Sequence, residues 1–295
     1  MRKNFKNVIK RTVVAALAAT MTLGMMTGCG DDKEETAAGK DITVVTREDG
    51  SGTRSAFVEL MGIMVDDVDN TIQTAEITNS TSVMLQSVEG NVSAIGYVSL
   101  GSLDTEKVNA VKVDGVEATT DNVKNGSYTV ARPFNIATKD DLSDVAEDFI
   151  DFILSDEGQK IISDEGYISV TSGTSYTSSG LSGKITCAGS TSVGPVMKVL
   201  AEEYMKLNTG VTIEVQETGS SAGMTSAIEG ACDIGMASRE VKDSEKEQGL
   251  TETQIAMDGI AVIVNKSNTA TELTSEQILK IYTGEITKWD DVLSE

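Results

Sequence analysis

The sequence contains no histidine, three cysteines, one tryptophan and only 4% aromatic residues. Without histidine, neither a His-based catalytic triad nor a His-rich metal site can be built. The shortage of aromatics weakens a sugar-binding reading, because sugar clefts commonly stack their ligands on aromatic faces. Positive charge is scarce too: 24 Lys and Arg stand against 46 Asp and Glu, for a net charge of -22 at pH 7. Such a surface repels nucleic acid, whose phosphates are bound by clustered cations. It does not exclude a small anion, because distant charge is screened over roughly 8–10 Å and donors inside a cleft decide affinity. Beyond the N-terminal segment, no apolar run is long enough to span a bilayer.

The N-terminus is the exception to this acidity. Arg2, Lys3, Lys6, Lys10 and Arg11 precede an uncharged run, Thr12 to Gly28, that closes on Met26-Thr27-Gly28-Cys29. Residues 1–28 have the layout of a signal peptide. Their end resembles a bacterial lipobox, which implies lipidation of Cys29 and anchoring on the outer face of a cell membrane. Residues 29–40 read as a polar, flexible tether. Cys187 and Cys232 read as two buried free thiols, with a disulfide between them left open.

Two stretches look like the same device: Arg47-Glu48-Asp49-Gly50-Ser51-Gly52-Thr53-Arg54 and Ala188-Gly189-Ser190-Thr191-Ser192. Each lies between an apolar strand-like run and a helical periodicity. The first follows Ile42–Val45 and precedes Phe57, Leu60 and Met61; the second follows Lys184–Ala188 and precedes Val196, Leu200 and Tyr204. A Gly/Ser/Thr turn entering a helix leaves backbone N–H groups aimed at one spot, and the helix dipole and hydroxyls make that spot attractive to an anion. With Arg47 beside one of them, the pair points to a grip on a small oxyanion.

An internal echo links the two halves. Asn79-Ser-Thr-Ser-Val-Met-Leu-Gln-Ser-Val-Glu-Gly90 parallels Gly219-Ser-Ser-Ala-Gly-Met-Thr-Ser-Ala-Ile-Glu-Gly230. Each reads as a capped helix followed by a buried strand, Ala94–Leu100 in one case and Cys232–Ala237 in the other. Strands alternating with helices argue for an α/β fold with parallel sheets. The echo argues for two lobes of similar build, with both loops facing one cleft at the carboxyl ends of the strands. Residues 171–183 are almost entirely Ser, Thr and Gly and read as a flexible linker.

Together these residues resemble the substrate-binding lipoproteins of bacterial high-affinity phosphate ABC transporters. The marks are Arg47–Arg54, Ala188–Val193, Gly219-Ser220-Ser221, Ile95–Gly101 and Lys288–Val292. The resemblance implies an α/β, two-lobed, periplasmic-binding-protein-like type II fold with a ligand cleft between the lobes. The order of segments departs from the family, whose first portion resembles Lys184–Ser192 and whose end resembles Gly166-Tyr167. A circular permutation joined through the linker accounts for this. It makes 131–264 a continuous lobe and assembles the other from 40–130 plus 265–295. The competing account is a truncated duplication completed by domain swapping.

By the same resemblance, the phosphate-binding residues are Thr191, Ser192 and Ser220 from one lobe and Arg47, Ser51, Gly52 and Thr53 from the other. Asp49 is expected to orient Arg47, while Glu48 and Arg54 belong on the solvated face. Some family members carry an aspartate that can accept the proton of hydrogen phosphate where this chain reads Ser238-Arg239-Glu240. Ser238 and Arg239 join the candidate set, and the choice between phosphate and sulfate stays open. The expected function is extracytoplasmic binding of inorganic phosphate and delivery to ABC permease subunits as lobe closure traps the anion. The expected protein is a monomer and not an enzyme, with no metal, no cofactor and no nucleic-acid partner. A phosphate-sensing or adhesive surface lipoprotein is the alternative.

Overall fold

β-Branched and small apolar residues build the strands, and Ser, Thr or Gly opens most of the helices. The computed structural model describes residues 36–170 and 173–293. The signal segment 1–28, Cys29 and most of the expected tether lie outside the described residues. In chain order the principal elements are β1 (Thr43–Arg47), α1 (Gly52–Leu60), β2 (Glu76–Thr78), α2 (Thr81–Glu89), β3 (Ala94–Ser99) and β4 (Ala131–Thr138). There follow α3 (Asp144–Leu154), α4 (Asp156–Asp164), β5 (Ser182–Gly189), α5 (Gly194–Leu207), β6 (Gly210–Glu217), α6 (Ser220–Ile228), β7 (Ile234–Ala237), β8 (Thr251–Asn265) and α7 (Ser275–Thr283). No described helix is long and apolar enough to cross a membrane.

The main sheet runs β6-β5-β7-β4-β8-β3-β1-β2. At either end it is parallel: β1 pairs with β2 and β3, and β5 with β6 and β7. The middle is antiparallel, through β7–β4, β4–β8 and β8–β3. The alternation of strands and helices had announced only the parallel parts. β8 carries the two halves as one strand. Thr251–Gly259 pairs with β4, and Ile260–Val264 then pairs with β3.

Two main hydrophobic cores flank this crossing. One gathers Val45, Phe57, Met84, Ile95, Tyr97, Ile260–Val264 and Trp289; the other gathers Phe134, Phe149, Ile185, Leu200, Tyr204 and Ile255. The second half of β8 pairs with β3 and packs into the first core, so the strand passes from one core to the other at Gly259/Ile260. At the crossing, Arg132 meets the fully buried Asp258 at 3.1 Å, and Ser99 Oγ donates to Asp258 at 2.9 Å. Burial raises the Asp258 carboxyl and lowers the Arg132 guanidinium, and their mutual attraction offsets this only in part.

The described parts of two segments expected to be flexible are docked. Of the tether, Ala37 is fully buried, the Gly39 amide donates to Asp290 at 2.7 Å, and the Trp289 amide donates to the Lys40 carbonyl at 3.2 Å. From residue 173 to β5 the linker lacks regular structure, yet Tyr176 fastens it. Its hydroxyl donates to Asp148 at 2.6 Å, and its ring lies 5.1 Å from Phe152 and 5.9 Å from Tyr204. One aromatic side chain with a polar tip is enough to hold an otherwise soft segment. Cys187 and Cys232 are both buried free thiols, and burial pushes both upward in pKa, Cys232 to about 11.

Candidate functional site

β1 ends at Arg47, and the chain turns through Gly50, at φ 86°, before α1 begins. Ser51 caps α1, its Oγ accepting from the Arg54 amide at 3.3 Å. Gly52 and Thr53 occupy the first turn, where amides have no intrahelical acceptor. Opposite, β5 leads through Ser190, whose Oγ accepts from the amides of Ser192 and Val193 at 3.1 and 3.3 Å, into α5. The serine-rich turn thus folds on itself and pushes the Thr191 and Ser192 side chains toward the other loop.

The two loops meet in a network of buried hydroxyls. Thr53 Oγ1 lies 2.9 Å from Ser192 Oγ. Arg47 Nη2 donates to Thr191 Oγ1 at 3.0 Å. Thr81, at the start of α2, lies 3.3 Å from both Thr191 Oγ1 and Ser192 Oγ. Behind Gly52, the Ser238 amide donates to Ser220 Oγ at 3.2 Å, and the two hydroxyls are 3.5 Å apart. A Cβ on Gly52 would stand 2.5 Å from Ser220 Oγ and 2.8 Å from Ser238 Oγ. Only glycine lets these backbones approach so closely. The Ser221 amide closes the contact by donating to the Gly50 carbonyl at 3.0 Å.

Arg47 is 2% exposed and held from several sides. Its Nε and Nη2 donate to the two oxygens of Glu48, each at 2.8 Å. Its amide donates to Tyr97 Oη at 3.2 Å, and the same hydroxyl lies 2.9 Å from Thr46 Oγ1. Burial raises the Tyr97 phenol to about 12. Asp49 does not orient Arg47: its side chain is 98% exposed and pairs with Arg54 at 2.8 Å. The turn at Gly50 sends residue 49 outward and leaves Glu48 to hold the guanidinium. Arg54 also binds Asp69 at 2.8 Å and donates to the Arg47 carbonyl at 2.9 Å.

Ser220 does not cap α6. The cap is Gly219, at φ 92°, with no side-chain bond, and Ser220 as first helical residue turns its hydroxyl to Ser238 instead. Arg239 is drawn to the rim, where its Nη2 reaches Ser221 Oγ at 3.3 Å. Its fork, however, closes on Glu245 at 2.8 and 2.9 Å, which leaves Nε buried without a partner. Nothing in a linear reading of Ser238-Arg239-Glu240 pointed to a clamp six residues on. The structure therefore assembles Arg47, Ser51, Gly52, Thr53, Thr191, Ser192, Ser220 and Ser238 in one place, keeps Arg239 at its edge and leaves Asp49 outside.

Sequence reasoning missed Thr81, Tyr97, Glu48 and Glu245. Thr81 was within reach, since the internal echo sets Ser80-Thr81 against Ser220-Ser221. What the cluster can do follows from its chemistry: many hydroxyl donors and a guanidinium, withdrawn from water, suit an anion with several acceptor oxygens. Among the described residues, no group of His, Cys, Asp and Glu could hold a metal ion.

Comparison with known proteins places the chain as a whole. The chain matches the PBP superfamily domain over residues 4–157 and 174–295. It is 46% identical over 289 residues to phosphate-binding protein PstS 2 of Streptococcus agalactiae, covering 96% of this chain and 98% of that one. Its fold is similar to the crystal structure of a phosphate-binding protein of a phosphate ABC transporter from Streptococcus pneumoniae. There the TM-score is 0.69 at 46% identity, covering 85% of this chain and 99% of the other. With the phosphate-binding protein PstS of Staphylococcus saprophyticus it shares 38% identity over 117 residues only, 37% of each chain. End-to-end similarity and a shared two-lobed fold carry one conclusion: the chain belongs to the PstS family of phosphate-binding proteins, within the PBP superfamily.

Proposed function

We propose that this protein captures inorganic phosphate outside the cytoplasmic membrane and delivers it to the permease of an ABC transporter. The observation that carries this reading is the meeting of Arg47 with Thr191, and of Thr53 with Ser192, across the two lobes. Neither lobe alone gathers enough donors to replace the water around a doubly charged oxyanion. Both together surround it, so ligand affinity is coupled to lobe closure, and closure gives a permease a surface to recognise. A binding protein, not an enzyme, suits a cluster of hydroxyls with no histidine beside them to act as base.

Arg47, Ser51, Gly52, Thr53, Thr191, Ser192, Ser220 and Ser238 form the phosphate shell in this proposal. Cys29 carries a lipid, and the monomer is the working unit. The chain is a circular permutation of the commoner family order. Two findings support this. The match to the staphylococcal relative covers 37% of each chain, as a co-linear comparison of permuted sequences would. The superfamily match is interrupted at 158–173, beside the Ser/Thr/Gly segment that would join the old termini. Calorimetric titration with inorganic phosphate tests the reading: one site per monomer is expected, with binding severely weakened in Arg47→Ala. A protein that binds no phosphate, or an obligate dimer with exchanged lobes, overturns it.

A further inference from the structure

The turn after β5 is tied from within, because Ser190 Oγ accepts two of its amides. The turn after β1 is tied differently. It contains Gly50 and Gly52, and glycine loses more backbone freedom on ordering than any other residue. Inside it, the Ser51 amide donates to the Glu48 carbonyl at 3.2 Å and the Arg54 amide to Ser51 Oγ at 3.3 Å. These two long bonds must fix Ser51, Gly52 and Thr53, which are buried against the other lobe.

The Arg54 side chain adds a restraint from outside. Its Nη1 donates at 2.9 Å to the carbonyl of Arg47, the last residue of β1, and so closes residues 47–54 into a ring. The same nitrogen donates to Asp49 at 2.8 Å. Nε donates at 2.8 Å to Asp69, which stands outside the ring. The other Asp69 oxygen accepts from the amide and the hydroxyl of Thr71, at 2.9 and 2.6 Å. Next to Thr71, the Ile72 amide donates to the carbonyl of Tyr282, in α7, at 2.7 Å. Burial opposes the charge on Asp69, but the bonds from Thr71 and Arg54 hold its carboxyl below the ordinary range. The guanidinium therefore joins the turn to a segment fastened on the core of its own lobe.

Geometry, not charge, is what this arginine contributes. Two carboxylates, Asp49 and Asp69, already face it. A planar fork of fixed donors can serve Asp69 and the Arg47 carbonyl at once, whereas a lysine ammonium is a point charge on a flexible stem.

We propose that Arg54 is a positioning residue for the site, taken as the phosphate site proposed above. It holds the amides and hydroxyls of Ser51, Gly52 and Thr53 in their binding geometry before the anion arrives, and it does not itself touch the anion. Donors fixed in advance spare the ligand the cost of ordering them.

The test is calorimetric titration of sodium phosphate into the unmodified protein, Arg54→Gln, Arg54→Lys and Asp69→Asn. One site per monomer is expected in all four. Affinity should be about tenfold to a hundredfold weaker in both Arg54 variants, with Asp69→Asn between them and the unmodified protein. A residue needed only for folding would lower the number of sites and leave their affinity native, and that result overturns the inference. So does native affinity in Arg54→Gln, or in Arg54→Lys, where charge alone would then suffice. If neither Arg54 variant folds, Asp69→Asn decides. Weakened affinity there at one site per monomer upholds the inference, and native affinity overturns it. In each of these cases the unmodified protein still binds phosphate. Its failure to bind removes the phosphate reading, and this inference with it.

Discussion

The turn after β1 and the turn after β5 reach the same cleft with different chemistry. The first caps its helix with Ser51, which accepts one amide, and brings Arg47 with its partner Glu48. The second uses Ser190, which accepts two amides, and carries no charged side chain between Ala188 and Ser192. The first lobe thus supplies cationic charge together with the hydroxyls of Thr53 and Thr81, and the other supplies hydroxyls alone. The lobe whose turn carries no charge contributes its arginine only at the edge, already neutralised by Glu245. A repeated geometric device need not repeat its electrostatics. Dividing the donors between two turns makes the whole cluster a property of both lobes together.

The comparison breaks most sharply at Arg47. Arg47→Ala removes the central cation and strands the Glu48 carboxylate. It should weaken phosphate binding by about 2–5 kcal/mol, roughly 30-fold to 5,000-fold, by calorimetry. A loss under tenfold would mean that charge from the first loop is not what holds the anion. Gly52→Ala comes next. The added methyl group favours the helix but meets Ser220 and Ser238, so the lobes cannot approach as closely. Affinity should fall by about 1–3 kcal/mol, and native affinity in that variant would show the close approach to be dispensable.

The helix cap Ser51 and the turn serine Ser190 sharpen the contrast on a smaller scale. Ser51→Ala should lower unfolding stability in urea by about 0.5–2 kcal/mol as the loss of a helix cap, and Ser190→Ala by about 1–3 kcal/mol because it leaves two buried turn amides without their acceptor. Equal losses would show that its second bond adds nothing. The smallest effect concerns acid. The Glu245 carboxyl lies below its usual 4.5 in the folded chain, so the native state binds fewer protons than the unfolded one there. Its contribution to stability is present above 4.5 and fades as pH falls through the lower folded value. Glu245→Gln should flatten stability against pH in that window; an unchanged profile would mean that the Arg239 clamp is not linked to folding.

Much of this was legible along the chain because it rests on neighbours in sequence. The Thr43–Arg47 strand, the Ser51 cap, the helix with Pro195 in its first turn and the buried Ala94–Ser99 strand all follow from local periodicity and turn chemistry. β4 and β8 were not legible. Their pairing joins residues more than a hundred positions apart, and no local pattern says that one strand serves two lobes at Gly259/Ile260. Asp49 failed for a similar reason. Its place beside Arg47 in sequence says nothing of where a turn at positive φ sends it. Ala37 and Tyr176 show that composition alone overstates flexibility when one side chain finds a core.

By itself, the sequence determined the two Gly/Ser/Thr turns, the residue types that line them and the family to which they point. Those features are carried by short motifs whose backbone chemistry is local. Which carboxylate holds which arginine was decided only by the tertiary structure. Glu48 takes Arg47, Glu245 takes Arg239 and Asp258 takes Arg132. Charge pairing depends on distance in space after the lobes have met, and burial then fixes each pair, because an unpartnered charge away from water costs more than any local preference can offset.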